Sequence, residues 1–281
     1  VVIMPEYTDT YVRDLDEYSA LNPVEKALFD AEEIGGSEAS VVLSSDLALE
    51  STIRVPAGIE LTLDLGGNTI TSEVSPAFIV NGALNLSNGS ASVPGEFVRA
   101  GAGAVINLDG VEVVSGSEAA KGDNCVFVPK DAKNVTVTVS DDTELTSYGA
   151  PAIQSNGFTQ NLELVIEGKV TSKGEHALYL PQVNVCTVNS TAVISGLTGI
   201  EIRGGLLQVT GGAKITASDN FSAAANNNGT TVNGAAIAVS PHTTNLPIIV
   251  RIYNAELDGA YSVYEKNFQS DRTAGTLLEI H

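Results

Sequence analysis

One short motif recurs along the second half of the chain and constrains its fold more than any other feature. A glycine is followed, two or three residues later, by a small residue and then an apolar one. It reads Gly122-Asp-Asn-Cys-Val-Phe, Gly149-Ala-Pro-Ala-Ile-Gln and Gly174-Glu-His-Ala-Leu-Tyr. Looser copies follow at Gly199-Ile-Glu-Ile, Gly234-Ala-Ala-Ile-Ala-Val and Gly259-Ala-Tyr-Ser-Val-Tyr. Successive glycines lie 27, 25, 25, 35 and 25 residues apart. Each interval carries two more short β-runs, such as Leu162 to Ile166 and Lys169-Val170-Thr171. Three short strands per 25 residues form a unit that cannot bury its apolar face alone, so the units must stack. The spacing predicts aligned columns: Val126, Ile153 and Leu178 in one, and Leu145, Val170, Ile194, Ile215 and Leu257 in a second.

The sequence therefore predicts an all-β, single-stranded right-handed parallel β-helix of about eight rungs spanning residues 40–263. Its N-terminal end is closed by a helix within 23–39. Asn22 is a good N-cap, Pro23 suits the first helical position, and Val24, Ala27, Leu28 and Ala31 share one face. Gly35-Gly36 stop that helix. Residues 1–22 form an acidic arm with Tyr7 and Tyr11 among its apolar anchors. A free arm of this composition is mobile, so it is expected to lie on its own domain or on another subunit. Residues 264–281 read as a C-terminal tail or cap. The one long interval holds a polar insertion, Ser218 to Thr231, whose tip is Asn226, Asn227 and Asn228. It is the most exposed excursion from the rungs and a candidate contact surface, as are Tyr7 and Tyr11. The only Met is Met4, after Val-Val-Ile, so either a few residues precede the true start or the chain is a processed or trimmed fragment.

Composition narrows the partners. Fourteen Lys and Arg face 34 Asp and Glu, a formal charge of −20 over 281 residues. Nucleic acid and anionic membrane surfaces need a cationic footprint that this balance lacks. No run of about 18 apolar residues spans a bilayer, so no membrane insertion is expected. Cys125 and Cys186 sit in apolar runs and read as buried free thiols. Six Asn-x-Ser/Thr sequons read as chance in a chain rich in these residues.

The stretch from Val24 to Ile70 resembles the entry of the pectin-lyase-like β-helix superfamily. It has the capping helix, a first apolar strand (Ser40-Val-Val-Leu43), a Val55-Pro-Ala-Gly58 corner and Leu61-Thr-Leu-Asp-Leu-Gly-Gly-Asn-Thr-Ile70. The rungs to about Ile252 extend the likeness over most of the chain. That superfamily includes polysaccharide lyases, glycoside hydrolases, adhesins, and phage tailspike and fibre proteins. The polygalacturonase-type elements Asn-Thr-Asp, Gly-His-Gly and Arg-Ile-Lys are missing; only Asp141-Asp142 is present, in a Ser-Asp-Asp-Thr turn where Asp bonds its own backbone. His176, beside Glu175, is the best single acid/base candidate, and a surface-turn histidine is the plain reading of it. His176, Asp141 and Asp142 are thus weak catalytic candidates, with no cofactor and no metal implied. The reading is a non-enzymatic structural or binding β-helix: a phage virion fibre, spike or capsid-decoration protein that contacts host surface glycans. The resemblance implies a homotrimer. The alternatives are a polysaccharide lyase or glycoside hydrolase, and a secreted adhesin of the bacterial cell surface.

Overall fold

The computed structural model describes residues 18–226, 229–241, 243–266 and 274–281. They form a parallel β-solenoid of about nine turns. Most turns contribute one strand to each of three faces, while Ala83–Val93 and Val105–Ser115 each run across the first two; every face-forming pair is parallel, one turn to the next. The sequence count came to about eight. The turns of Ile79 and Arg99, which lack the glycine motif, stack like the others.

In-register columns of apolar side chains make the core. On the third face Ile53, Phe78, Val98 and Val126 line up, followed by Ile153, Leu178, Ile200, Ile237 and Val263. On the second face Leu145, Val170, Ile194, Ile215 and Leu257 stand in register, as their spacing required. The first face adds two inward columns, one of which contains Leu164, Cys186, Leu207 and Val250. Strand alternation sends the intervening residues outward. Cys125 and Cys186 are buried free thiols, and burial pushes both up to about 12.

The glycine motif marks the corner between the second and third faces. A Cβ on Gly149 would lie 2.2 Å from the Gly122 carbonyl oxygen, and one on Gly122 would lie 2.3 Å from the Ser115 carbonyl carbon. The backbone closes on itself within the turn of Gly122 and on the next turn at Gly149, so no side chain fits. Buried serines fasten the same corner: Ser115, Ser147 and Ser172 donate to the carbonyls of Gly95, Asp123 and Ala150 at 2.6, 2.8 and 2.8 Å. These bonds satisfy backbone oxygens that the bend removes from the ladder.

Helix α1, Pro23–Glu33, seals the N-terminal end with Val24, Leu28 and Ala31. Asn22 Oδ1 accepts from the N–H groups of Val24 and Glu25 at 2.9 and 3.0 Å, and Glu25 closes a capping box. The other end has no such plug among the described residues. The segment read as a tail from Tyr264 instead continues the stack. Tyr261–Glu265 is a third-face strand, and Thr276–Ile280 pairs in register with Ile248–Ile252. The alternation Leu278, Ile280 continues two core columns, which a reading by glycine spacing overlooked. Ile280 is 64% exposed. The N-terminal arm, with Tyr7 and Tyr11, lies outside the described residues. Among the described residues no helix is long and apolar enough to cross a membrane.

Candidate functional site

The outer side of the third face carries a column Gln154, Tyr179, Glu201, Ala238. Strands His176–Leu180, Thr198–Ile202 and Ala235–Val239 are buried on nearly every residue, on both sides. The cover is the polar insertion. Ser222–Asn226 and Gly229–Asn233 form an antiparallel hairpin, and Val232 packs fully buried with Ala235 and Ala238. Thr198 Oγ1 donates to the Val232 carbonyl at 2.6 Å, tying hairpin to solenoid. The hairpin is therefore fastened at its base by Val232, while the described residues of the insertion itself, Ser218 to Thr231, are exposed or half-buried. Asn227 and Asn228 lie outside the described residues, and Asn226 ends the hairpin's first strand.

Beneath this hairpin sits a cluster of charged groups. His176 is 5% exposed, and Glu201 and Arg203 are fully buried. This corrects the surface-turn reading of His176: the residue opens a strand, and the insertion, far along the chain, covers its neighbours. Its Nε2 lies 2.6 Å from Glu201 Oε2, and its Nδ1 lies 3.5 Å from Glu175 Oε2. The 2.6 Å approach is misaligned for a hydrogen bond, so neither atom has a partner by geometry and the pair is held by charge. Burial alone would lower the imidazolium's pKa. The two carboxylates outweigh it and bring His176 up to about 9. The ring is thus a cation at neutral pH.

The second carboxylate oxygen is also engaged. Ser240 Oγ donates to Glu201 Oε1, and Arg203 Nε stands 3.7 Å from it. Arg203 Nε donates to the Ser240 carbonyl at 3.3 Å, and Nη1 donates to the Tyr179 hydroxyl. Two cations and two carboxylates cancel. A cleft of about 220 Å³ opens beside them, lined by Pro151, Gln154, Glu175, His176, Tyr179, Glu201 and Thr231. Sequence reasoning singled out His176 but missed Glu201, Arg203 and Ser240. The available signal was charge inside Ile200-Glu-Ile-Arg203, a run otherwise apolar.

Asp141 and Asp142 stay in an exposed turn, away from this cluster. Asp142 accepts from Ser140 Oγ at 2.7 Å and the Gly110 N–H at 2.9 Å. The Ser140 hydroxyl holds its carboxyl below the usual value. The Ser140 bond is local to the turn, and the Gly110 bond crosses to the preceding turn of the stack. No group of three or more His, Cys, Asp or Glu suited to a metal ion occurs among the described residues.

A second concavity of about 430 Å³ lies at the corner between the third and first faces. Its lining includes the carboxamides of Gln160, Asn161, Gln182 and Asn184 above Leu206, Leu246, Pro247 and Ile249. No charged residue lines it.

The fold and these sites define the chain as a parallel β-solenoid. No family model matches it, and no curated protein or solved structure is significantly similar to it.

Proposed function

We propose that the chain is a non-catalytic structural or binding solenoid, carried on a virion as a fibre, spike or capsid-decoration protein that meets host surface glycans. One observation carries the non-catalytic part: the buried titratable cluster is neutralised from within. A general acid or base needs a proton it can exchange with substrate near working pH. His176 is clamped between Glu175 and Glu201, with its pKa moved to about 9. Glu201 is held by Ser240 and faces Arg203. Such an arrangement fixes two turns and their hairpin in one geometry.

The virion assignment and the trimer rest on the superfamily resemblance and on the absence of its catalytic elements from this sequence. A secreted adhesin shares the same support. Light scattering on a sizing column tests the assembly: a mass of three times 29.1 kDa is expected, and a monomer at high concentration sinks the trimer.

The cleft beside His176 and Glu201 gives the enzyme reading its one concrete seat. Reducing-end release from a panel of polysaccharides tests it. The expected result is no turnover. Turnover abolished by both His176→Ala and Glu201→Gln in folded protein establishes an enzyme instead.

A further inference from the structure

The corner groove between the third and first faces has no role in the charged cluster. It is built from four consecutive turns of the stack. Gln160 and Asn161 belong to one, Gln182 and Asn184 to the next, then Leu206, then Leu246, Pro247 and Ile249. With turns 4.7–4.9 Å apart, it runs about 14 Å along the stack. Gly205 makes the floor possible. Its φ is +107°, and a Cβ there would lie 1.7 Å from the Val183 carbonyl oxygen. The chain passes through this corner as bare backbone.

The chemistry of the lining is specific. Among the described residues the side chains of Gln160, Gln182 and Asn184 take no hydrogen bond, while Asn161 Nδ2 donates to Asn134 at 2.9 Å. Each free carboxamide offers a paired donor and acceptor. The floor is aliphatic. A chain of net charge −20 spends none of its carboxylates here.

We infer that this groove is a binding site for an uncharged glycan. Sugar hydroxyls are donors and acceptors together, and they match the carboxamides of Gln160, Gln182 and Asn184. The C–H faces of pyranose rings match the aliphatic floor of Leu206, Leu246, Pro247 and Ile249. A polyuronate would meet the field of the acidic chain without a cation in the groove. An extended peptide binds a sheet by adding a strand to its edge, and this groove lies across strands already paired on both sides. The inference rests on the binding-scaffold reading and adds a location and a ligand class to it.

The test uses the full chain on a printed array of uncharged oligosaccharides. Affinity electrophoresis through dextran, galactomannan and polygalacturonate gels follows. Binding to at least one uncharged glycan is expected, with no retardation by polygalacturonate. Replacing both Gln182 and Asn184 by Ala should weaken binding roughly tenfold, as should Gln160→Ala, because each change removes about 1.4 kcal/mol of contact. Thr187→Ala, on the neighbouring outward row, should leave binding unchanged. All variants should melt with the parent, since the altered side chains are at the surface. Failure to bind any uncharged glycan, stronger binding to polygalacturonate, or binding unaffected in both groove variants overturns the site. Depolymerisation of the bound glycan would overturn the scaffold reading alone, leaving the groove to be judged by its variants.

Discussion

Glu201 reaches back one turn of the stack to place its Oε2 2.6 Å from His176 Nε2, although the backbone register pairs Glu201 with Tyr179. The contact joins adjacent turns through charge on a face whose inward column is otherwise apolar. Its surroundings explain its strength. Glu201 is fully buried, so little water screens the pair, and Arg203 and Ser240 hold the other carboxylate oxygen. A pair of this kind costs desolvation when it forms and costs more if one partner is taken away.

Alkaline pH should loosen the stack at this point. His176 ordinarily titrates near 6.5, and in the fold it is raised to about 9. A raised pKa means that the native state holds the proton more tightly. Its contribution is complete below about 6.5 and is lost as pH climbs through about 9. Melting temperature measured from pH 6 to 10 should therefore fall more steeply above 6.5 in the parent than in His176→Gln. Parallel curves for the two proteins would refute the assignment.

Removing Glu201 should be worse than removing the whole cluster. Glu201→Ala takes a buried carboxylate away from both His176 and Arg203, a loss of about 3–5 kcal/mol. The triple replacement His176→Leu, Glu201→Leu, Arg203→Met takes away the charges together and should recover most of that loss. Urea midpoints at pH 7 report both. If Glu201→Ala costs under about 1 kcal/mol, the cluster is solvated rather than buried.

The repeat was legible because stacking imposes one rule on every turn. Leu145, Val170, Ile194, Ile215 and Leu257 share a register, and their spacing alone revealed it. The glycines were legible for a related reason, since Gly149 lies against the Gly122 backbone. The buried cluster was not. Burial of His176 depends on Val232 and its hairpin covering a neighbouring strand, more than fifty residues away in sequence. Periodicity carries no information about what covers the outside of a sheet. The corner groove was equally silent, because Gln182 and Leu246 meet only through the stack.

Position along the solenoid should set the cost of a core truncation. Ile194 is fully buried, with Val170 and Ile215 on either side of it in its column. Ile194→Ala should cost about 2–5 kcal/mol, within the range for large-to-small changes in a close-packed core. Leu257 ends the same column and is half-buried. Leu257→Ala should cost less than half as much, because a stack of repeats is stabilised by nearest-neighbour interfaces and the last turn has one. Equal losses would mean that Leu257 is supported as fully as Ile194.

The two cysteines should report opening of the core. Burial raises both thiols to about 12, so at pH 8 almost no thiolate is available. A thiol reagent should label neither residue in the native protein and both in urea. Cys186 lies within a first-face column, between Leu164 and Leu207, with paired strands on both sides. Its slow native-state labelling should therefore follow global unfolding. Labelling of Cys186 much faster than the unfolding rate would show that the middle of the stack opens locally.

Gly149 separates packing from backbone conformation as the reason for glycine. Its φ is not positive, but a Cβ would sit 2.2 Å from the Gly122 carbonyl oxygen. Gly58 has the opposite character, with φ +85° and open space around the added atom. Gly58→Ala should therefore cost about 1 kcal/mol, the expense of a left-handed residue with a side chain. Gly149→Ala must push two turns apart along a corner that Ser147 fastens to Asp123. Its loss should exceed that of Gly58→Ala by a factor of two or more in urea midpoint. Insertion of the methyl group without that penalty would show that adjacent turns slide freely, and the corner would then owe its glycines to something other than contact.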